Sequence, residues 1–317
     1  MRFLFVMDPP ANIKFEGDTS FALMSEAQAR GHRVDHCLPT DLFLVGSTLH
    51  AHVRRASMQP DPVEPIALAQ GEDVNLETVD AVLVRTDPPF DTNYLWTTLL
   101  LEHLRGKTLV VNDPRGLRDA NEKLYTCRFP ELMPETIVTS HRDRIRNFVQ
   151  QVGGRAVIKP IDGAGGEGVM ALMDGDPNLR AIIDNVTMNG RRLAMVQRFL
   201  PEYKQGDKRI LLLDGEPIGA LVRVPRSDDI ASNLRMGGTA AQGGVDELDR
   251  KIIARIAPSL RKDGLYFVGI DVIGGLLTEV NVTSPTGIQQ MTRLNKENVP
   301  AVVIEWLVKK AGLIKKA

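Results

Sequence analysis

Hydrophobic and polar positions along this chain follow two rhythms. Short unbroken apolar runs, such as "FLFV" within "RFLFVMD", read as buried strands. Stretches with apolar positions three and four apart read as helices. "FALMSEAQARG" is one of these; Asp18, Thr19 or Ser20 can cap its start and Gly31 ends it. "HRVDHCLP" is a second strand, and "AVLVRTDPPFD" is a third that enters a proline turn. "YLWTTLLLEHLRG" is helical and "TLVVND" is a strand. Strands alternating with helices predict an open, mainly parallel α/β domain, which binds ligands beyond the carboxyl ends of its strands. The loops "MDPPAN" and "RTDPPFD" lie at such ends.

The rhythm changes near "LRDANEKLYT", which reads as a helix. Then follow a strand "ETIVTS", a helix "RDRIRNFVQQVG", and "AVIKPIDGAGGEGVMALM", which reads strand, glycine loop, strand. "LAMVQRFL" is another strand, and "KRILLLDGEPIGALVRV" is a hairpin turning at Asp214-Gly215. Residues 226–244 have little apolar periodicity and are long for a structureless connection, so a lid is expected there. "DELDRKIIARIAPSLRKDG" is an amphipathic helix ending near Gly264. Two strands, "GIDVIGGLLTEVN", and a final helix, "PAVVIEWLVKKAG", complete the pattern.

Composition narrows the picture. The chain has 317 residues, 43% hydrophobic and 25% charged, ample for more than one core. Lys plus Arg number 39 and Asp plus Glu 40, so no charge excess points to nucleic acid or an anionic membrane. No apolar run approaches the roughly 20 residues of a membrane span. Cys37 and Cys127 allow one disulfide arithmetically, but nothing marks an oxidising compartment; a soluble, cytoplasmic protein is expected. No His or Cys cluster has zinc spacing.

Three stretches carry candidate chemistry. In "IKPIDGAGGEGV", Gly163, Gly165 and Gly168 satisfy G-x-G-x-x-G, but a strand follows rather than the helix a dinucleotide fold requires. The loop fits a hairpin flap over phosphates, entered beside Lys159, or a hairpin whose glycines only relieve turn strain. In "GIDVIGGLLTEVN", Asp271, Glu279 and Asn281 interrupt apolar runs. Residues two apart share a strand face, so Glu279 and Asn281 point together, and Asp271 lies across from them if the strands pair through "GG". Three hard oxygen donors on one patch suit Mg²⁺; the alternatives are solvent-facing carboxylates or pairing with arginines. Asp207, Arg209 and Arg223 lie in a strongly apolar hairpin. The arginines there suit transferred phosphate or charge developing on a carbonyl, or match acidic neighbours at a sheet edge.

The ordered set "NEKL", "IKP-DG-GG-GV", "Q-F-P", "GDKR", "DGEP", "GIDVIG" and "TEVNVTSPTG" resembles the ATP-grasp ligases, and among them the prokaryotic glutathione synthetases. "MDPPANI", "DTSFAL" and "RTDPPFDT" resemble that family in particular, and the resemblance covers nearly the whole chain. It implies an N-terminal substrate-binding α/β domain over 1–122. An ATP-grasp fold of two α+β subdomains, 123–200 and 201–317, would follow. It implies that Lys123 and Lys159 hold ATP phosphates and that Gly163, Gly165, Gly166 and Gly168 form a flap. Gln197, Phe199 and Leu200 would meet adenine, with Asp207 as an acidic nucleotide contact. Asp271, Glu279 and Asn281 would bind Mg²⁺, or Mn²⁺ in its place. Arg209 and Arg223 would be catalytic at the reacting phosphate and carboxylate. Ser20, Arg85, Asn233, Ser284 and Thr286 would meet the peptide substrate. The chain departs from the pattern at Thr86, where Lys is frequent, and at Arg235 and Met236, where small residues are.

The expected activity is ATP-dependent joining of γ-glutamylcysteine and glycine to glutathione through an acyl phosphate, by a homo-oligomer, with no nucleic-acid or membrane partner. Another ATP-grasp carboxylate–amine ligase is the alternative. A nucleotide-binding regulatory protein without turnover is a third, but such a protein should lose metal ligands or arginines that this chain keeps.

Overall fold

The structure, a computed structural model, describes residues 1–225 and 238–315. The first sheet contains β1 (Arg2–Val6), β2 (Arg33–Cys37), β3 (Leu42–Val45), β4 (Thr48–Met58), β5 (Ile66–Asn75), β6 (Ala81–Val84) and β7 (Leu109–Val111). Its parallel part runs β2-β1-β6-β7. Strands β3, β4 and β5 add an antiparallel extension next to β2, which no continuous apolar run announces. Helices α1 (Thr19–Ala29), α2 (Thr92–Leu101) and α3 (Pro114–Asp119) accompany this sheet. Asp18 caps α1, its Oδ1 accepting from Phe21 N at 2.7 Å; such a cap stabilises by about 1 kcal/mol.

The helix expected over "LRDANEKLYT" is broken. α3 ends at Asp119 and a separate 3-10 turn spans Leu124–Arg128. Asn121 is the cause: its Oδ1 accepts from the backbone N–H of both Lys123 and Leu124, a local partner that competes with helical bonding. Its Nδ2 donates to Ile161 O at 3.1 Å, which ties the break to the glycine loop.

A small lobe follows, with β8 (Thr136–Thr139), α4 (Arg142–Gln151), β9 (Arg155–Pro160), β10 (Met170–Met173), α5 (Leu179–Val186) and β11 (Ala194–Arg198). Its antiparallel sheet has the order β10-β9-β11-β8 and closes over its own core, including Ile145, Ile158, Ile183 and Val196. The third sheet contains β12 (Asp207–Leu213), β13 (Glu216–Val224) and β14 (Thr239–Gln242), then, after α6 (Glu247–Lys262), β15 (Phe267–Ile273) and β16 (Leu276–Asn281). α7 (Ile288–Asn295) and α8 (Val299–Ile314) end the described chain. The expected turn between β12 and β13 is present, with Asp214 at φ 51° and Gly215 at φ 77°.

The first and third sheets share their cores. Leu4, Val6 and Val82 pack in one cluster with Ile210, Val268 and Val280, and Phe3 and Leu23 in another with Leu211 and Ile304. Buried Asn112 fastens the junction. Its Nδ2 donates to Phe267 O at 2.8 Å and to Val282 O at 2.7 Å, and its Oδ1 accepts from Phe267 N at 2.7 Å. The two sheets thus make one body, and the β8–β11 lobe stands on it with a separate core.

Candidate functional site

β15 and β16 pair antiparallel through Gly274 and Gly275, whose φ angles of 57° and 75° suit the tight turn. The register sets Asp271 opposite Glu279 and Gly269 opposite Asn281. The three oxygen-bearing side chains picked out in the sequence therefore share one patch. Asn281 Nδ2 donates to Gly269 O and to Asp271 Oδ2, both at 3.2 Å.

The next strands extend this patch with charge. Arg209 on β12 stands opposite Asp271, and Arg223 on β13 stands opposite Asp207, with residues 207 and 209 on one face of β12. Arg209 grips Asp271 with Nε on Oδ1 and Nη2 on Oδ2, the latter at 2.8 Å. Arg223 Nη2 reaches Asp207 Oδ2 at 2.5 Å and Asp271 Oδ2 at 2.9 Å. All four side chains are buried. Burial alone would raise the pKa of Asp271, but Arg209 and Arg223 outweigh it and hold the carboxyl well below the usual range. Burial would likewise lower the pKa of Arg223; Asp207 and Asp271 hold it up. A Cβ on Gly269 would be tight here, 3.2 Å from Arg209 Cδ and 3.1 Å from Pro285 Cβ.

Glu279 faces a different set of cations. Lys123 Nζ and Lys159 Nζ each lie 3.9 Å from its Oε1. Lys123 is buried and also donates to Gly163 O, so the lysine before the 3-10 turn holds the glycine loop. In that loop Gly165, Gly166 and Gly168 take φ of 66°, 87° and 71°. A Cβ on Gly163 or Gly168 would meet Pro160 Cγ at 2.8 or 2.9 Å. Backbone so placed brings N–H groups close to a bound group with no side chain in the way.

Two clefts meet at Arg223. The first, of about 830 Å³, lies between the small lobe and the third sheet. Val157, Phe199, Leu200 and Ile273 line it with apolar surface, and Lys159, Asp207, Arg223, Asp271 and Glu279 line it with charge. Gly166 and Gln197 also face it. The Gln197 side chain is buried and donates to Thr136 Oγ1 at 3.1 Å. The apolar and charged walls fit a nucleotide, its base among the first group and its phosphates among the second. The second cleft, of about 1130 Å³, lies between the N-terminal loops and the third sheet. Lys14, Asp18 and Asp87 come from one side, and Arg209, Arg223, Thr286 and Gln290 from the other.

The remaining sequence-derived residues distribute unevenly. Thr286 lines the second cleft, whereas Ser284 lines neither of the two. Ser20 and Arg85 are buried behind it and bonded to each other, Arg85 Nε donating to Ser20 Oγ at 3.0 Å and Nη2 to Pro285 O at 3.0 Å. They brace the cleft wall rather than line it. Asn233, Arg235 and most of the expected lid lie outside the described residues. Both cysteines are free, Cys37 buried and Cys127 exposed, so the arithmetically possible disulfide is not formed.

Sequence reasoning missed Glu122. It is half-buried; its Oε1 accepts from Thr283 Oγ1 at 3.0 Å, and its backbone O accepts from Val280 N at 2.9 Å, between Glu279 and Asn281. Burial, then the charge of Glu279, pushes its pKa up. Its place beside Lys123 in "NEKL" was the available signal. Among the described residues no group of three or more His, Cys, Asp or Glu is placed to hold a metal. The donor set is instead two carboxylates and an amide. Asn281 turns its Nδ2 toward Asp271 Oδ2, and Asp271 is held by Arg209 and Arg223.

Comparison with known proteins identifies the family. Residues 1–118 match the model of the prokaryotic glutathione synthetase N-terminal domain, and residues 122–296 that of the prokaryotic glutathione synthetase ATP-grasp domain. The chain is 45% identical to the glutathione synthetase of Thermosynechococcus vestitus, covering 97% of this chain and 99% of that one. It is 46% identical to that of Gloeobacter violaceus, with 97% of each covered. Among solved structures, D-cycloserine synthetase DcsG superposes with a TM-score of 0.66 at 15% identity, covering 97% of this chain and all of that one, a likeness of fold. The ATP-grasp ligase PsnB, solved with a precursor peptide and AMPPNP, superposes at 0.63 and 14% identity over 98% of each chain. The chain belongs to the prokaryotic glutathione synthetase family.

Proposed function

We propose that this protein joins γ-L-glutamyl-L-cysteine and glycine to give glutathione, with ATP converted to ADP and phosphate. The observation that carries the reading is the shared arginine. Arg223 lines both the cleft that suits a nucleotide and the cleft that suits an acidic peptide, so a γ-phosphate and a carboxylate can meet at one guanidinium. Residues 1–122, 123–200 and 201–317 would act as substrate, nucleotide-flap and catalytic units.

The chemistry follows from charge and position. The cysteinyl carboxylate attacks the γ-phosphorus, ADP leaves, and an acyl phosphate forms. The neutral amine of glycine then attacks the acyl carbon, loses a proton, and phosphate leaves. Lys123 and Lys159 neutralise phosphate oxygens, and Arg209 and Arg223 bind the transferred phosphoryl group and the oxyanion of the tetrahedral intermediate. The glycine loop closes over the phosphates, and Phe199 and Leu200 border the base. Mg²⁺, or Mn²⁺, would be held by Glu279, Asn281 and Asp271 and would supply charge neutralisation between phosphates. No protein nucleophile is required, because the protein contributes positioning and charge.

Two further elements belong to the proposal. Self-association is supported by exposed Trp96 and Leu99 on α2, which packs beside β3 with its exposed Leu44 and Val45; light scattering checks it. A cytoplasmic setting is supported by the two free thiols. No helix among the described residues is long and apolar enough to cross a membrane.

The deciding experiment measures ADP release with ATP, Mg²⁺, γ-glutamylcysteine and glycine, omitting each in turn. Release that needs all four, with glutathione formed in equal amount, is the expected result. Release only with a different acid–amine pair, such as two D-alanines, would assign another ligase activity. Nucleotide binding without release on any pair would make it a regulatory protein.

A further inference from the structure

We infer that a third cleft, apart from the two that meet at Arg223, binds the phosphate group of a small molecule through Arg105, Arg115, Arg128 and Lys262. The inference does not depend on the ligase reading.

This cleft, of about 810 Å³, lies where α3 and the 3-10 turn Leu124–Arg128 meet the end of α6. None of its lining residues borders either of the other two clefts. Its floor is a close junction of two chain segments. The Asp113 N–H donates to Gly264 O at 3.0 Å. A Cβ on Gly264 would come within 2.4 Å of Asp113 Cβ, and one on Gly116 within 2.2 Å of Asp263 O. Around that junction the cations come from four places: Arg105 after α2, Arg115 on α3, Arg128 on the 3-10 turn and Lys262 on α6.

The acids of the cleft hold its arginines without using them up. Arg105 Nη2 donates to both oxygens of Asp113 at 3.2 Å. Arg115 donates to Glu102 Oε1 through Nη2 alone, at 2.7 Å, and Arg128 to Asp263 Oδ2 through Nη1 alone. Each guanidinium carries five N–H donors, so several on each remain for a ligand. Lys262 has no partner among the described residues. Arg261 also lines the cleft but is engaged by Asp214 O and Glu216. Glu102, outside the cleft, is shared among Arg105, Arg115 and Arg118. With Arg261 set aside and this trio's acid counted, Arg105, Arg115, Arg118, Arg128 and Lys262 face Asp113, Asp119, Asp263 and Glu102, a cationic excess.

Arg128 is fixed in advance. Its guanidinium lies 4.6 Å from the Tyr125 ring centre, and the Tyr125 hydroxyl donates at 2.8 Å to the same Asp263 oxygen that Arg128 reaches. A cation held by a ring and a carboxylate loses little freedom when an anion arrives. The ligand class follows from this arrangement. Phosphate oxygens point in several directions and can meet cations from separate elements, whereas a single guanidinium fork already satisfies a carboxylate. Exposed Asp119 on the lining opposes a long polyanion, which favours a small ligand over nucleic acid.

The test is calorimetry on the full chain with AMPPNP and Mg²⁺ present to fill the nucleotide cleft, at about 0.15 M salt. Inorganic phosphate is titrated in one arm and glycerol 3-phosphate in the other. One saturable site with a Kd of about 1 mM or tighter is expected. Tighter binding of the ester would assign an organic phosphate; equal or weaker binding would assign free phosphate. Arg115→Met combined with Lys262→Met, both at exposed positions, should weaken binding at least about tenfold and leave the melting temperature and phosphate-free turnover unchanged. Arg105→Met, also exposed, should weaken it independently. Absence of saturable binding of either probe up to about 20 mM would overturn the inference. So would binding that both variants retain within about threefold of the native chain.

Discussion

Asp271 stands directly across from Glu279 in the β15–β16 ladder, yet the two carboxylates serve different partners. Asp271 is buried and held by Arg209 and Arg223, whereas Glu279 is partly exposed and faces Lys123 and Lys159 at 3.9 Å. Both lysines sit at the outer limit of an ion pair with the carboxylate, so neither holds it by a close hydrogen bond. Glu279→Gln keeps the shape and removes the charge. Turnover should fall by about 100-fold or more, with the Mg²⁺ needed for half-maximal rate raised and the melting temperature little changed. Full activity at saturating Mg²⁺ would remove Glu279 from the ligand set.

Arg223 joins Asp207 to Asp271 and borders both clefts, so its loss should be felt twice. In Arg223→Ala, kcat should drop by at least about 100-fold while the KM for ATP changes by less than about fivefold. Two buried carboxylates would also lose a shared cation, destabilising the fold by about 3–5 kcal/mol. Arg223→Lys keeps the charge and should recover most of that stability without recovering kcat, since an ammonium does not present the planar fork. Urea melts read alongside kinetics separate the two effects; a change confined to the KM for ATP would make Arg223 a nucleotide contact alone.

The third sheet is legible in the sequence because its polar residues break a strong rule. Asp271, Glu279, Arg209 and Arg223 sit in runs such as "ILLL" and "GIDVIG" that only buried strands explain, so each demands a partner. The β4–β5 hairpin breaks no rule and is correspondingly invisible. "TLHAHVRRASM" alternates Leu49, Ala51 and Val53 with His and Arg, a half-exposed pattern weaker than a continuous apolar run. The helix through Asn121 fails for a local reason, since propensity is blind to an amide that bonds two N–H groups ahead of it. The substrate cleft is the least legible part. Lys14, Asp18 and Asp87 occupy irregular loops, and they meet Arg223 and Gln290 only because two sheets share a core. No spacing along the chain encodes that meeting.

Asn112 should prove the strongest single fastening of the two-sheet body. Its amide makes three hydrogen bonds to β15 and the segment after β16, all within 2.7–2.8 Å. Asn112→Ala would leave three buried backbone groups without that partner, a loss of about 3 kcal/mol or more. The midpoint of urea unfolding should fall accordingly, and catalysis should weaken with it because Phe267 begins β15 and Val282 follows β16, the strands that carry Asp271 and Glu279. An unchanged midpoint would mean that water replaces the amide fully.

Asp18 carries an opposition between stability and binding that pH can expose. Burial raises its pKa above the ordinary 3.8, with Asp87 adding to the effect and the Phe21 N–H and Arg85 opposing it. The sign follows from proton linkage. The folded state holds the proton more tightly than the unfolded state, so stability falls as pH rises from about 3.8 through the folded pKa, and the deficit persists at neutral pH. Asp18→Asn removes the ionisable group yet can still cap α1, because asparagine accepts the Phe21 N–H as aspartate does. The variant should therefore melt at a higher temperature than the native chain at pH 7, with the advantage shrinking towards zero below about pH 3.8. Its turnover of γ-glutamylcysteine should meanwhile decline, because Asp18 lines the second cleft. Paired thermal melts at pH 7 and pH 3.5 decide it: an equal difference at both would show that the group does not titrate between the states.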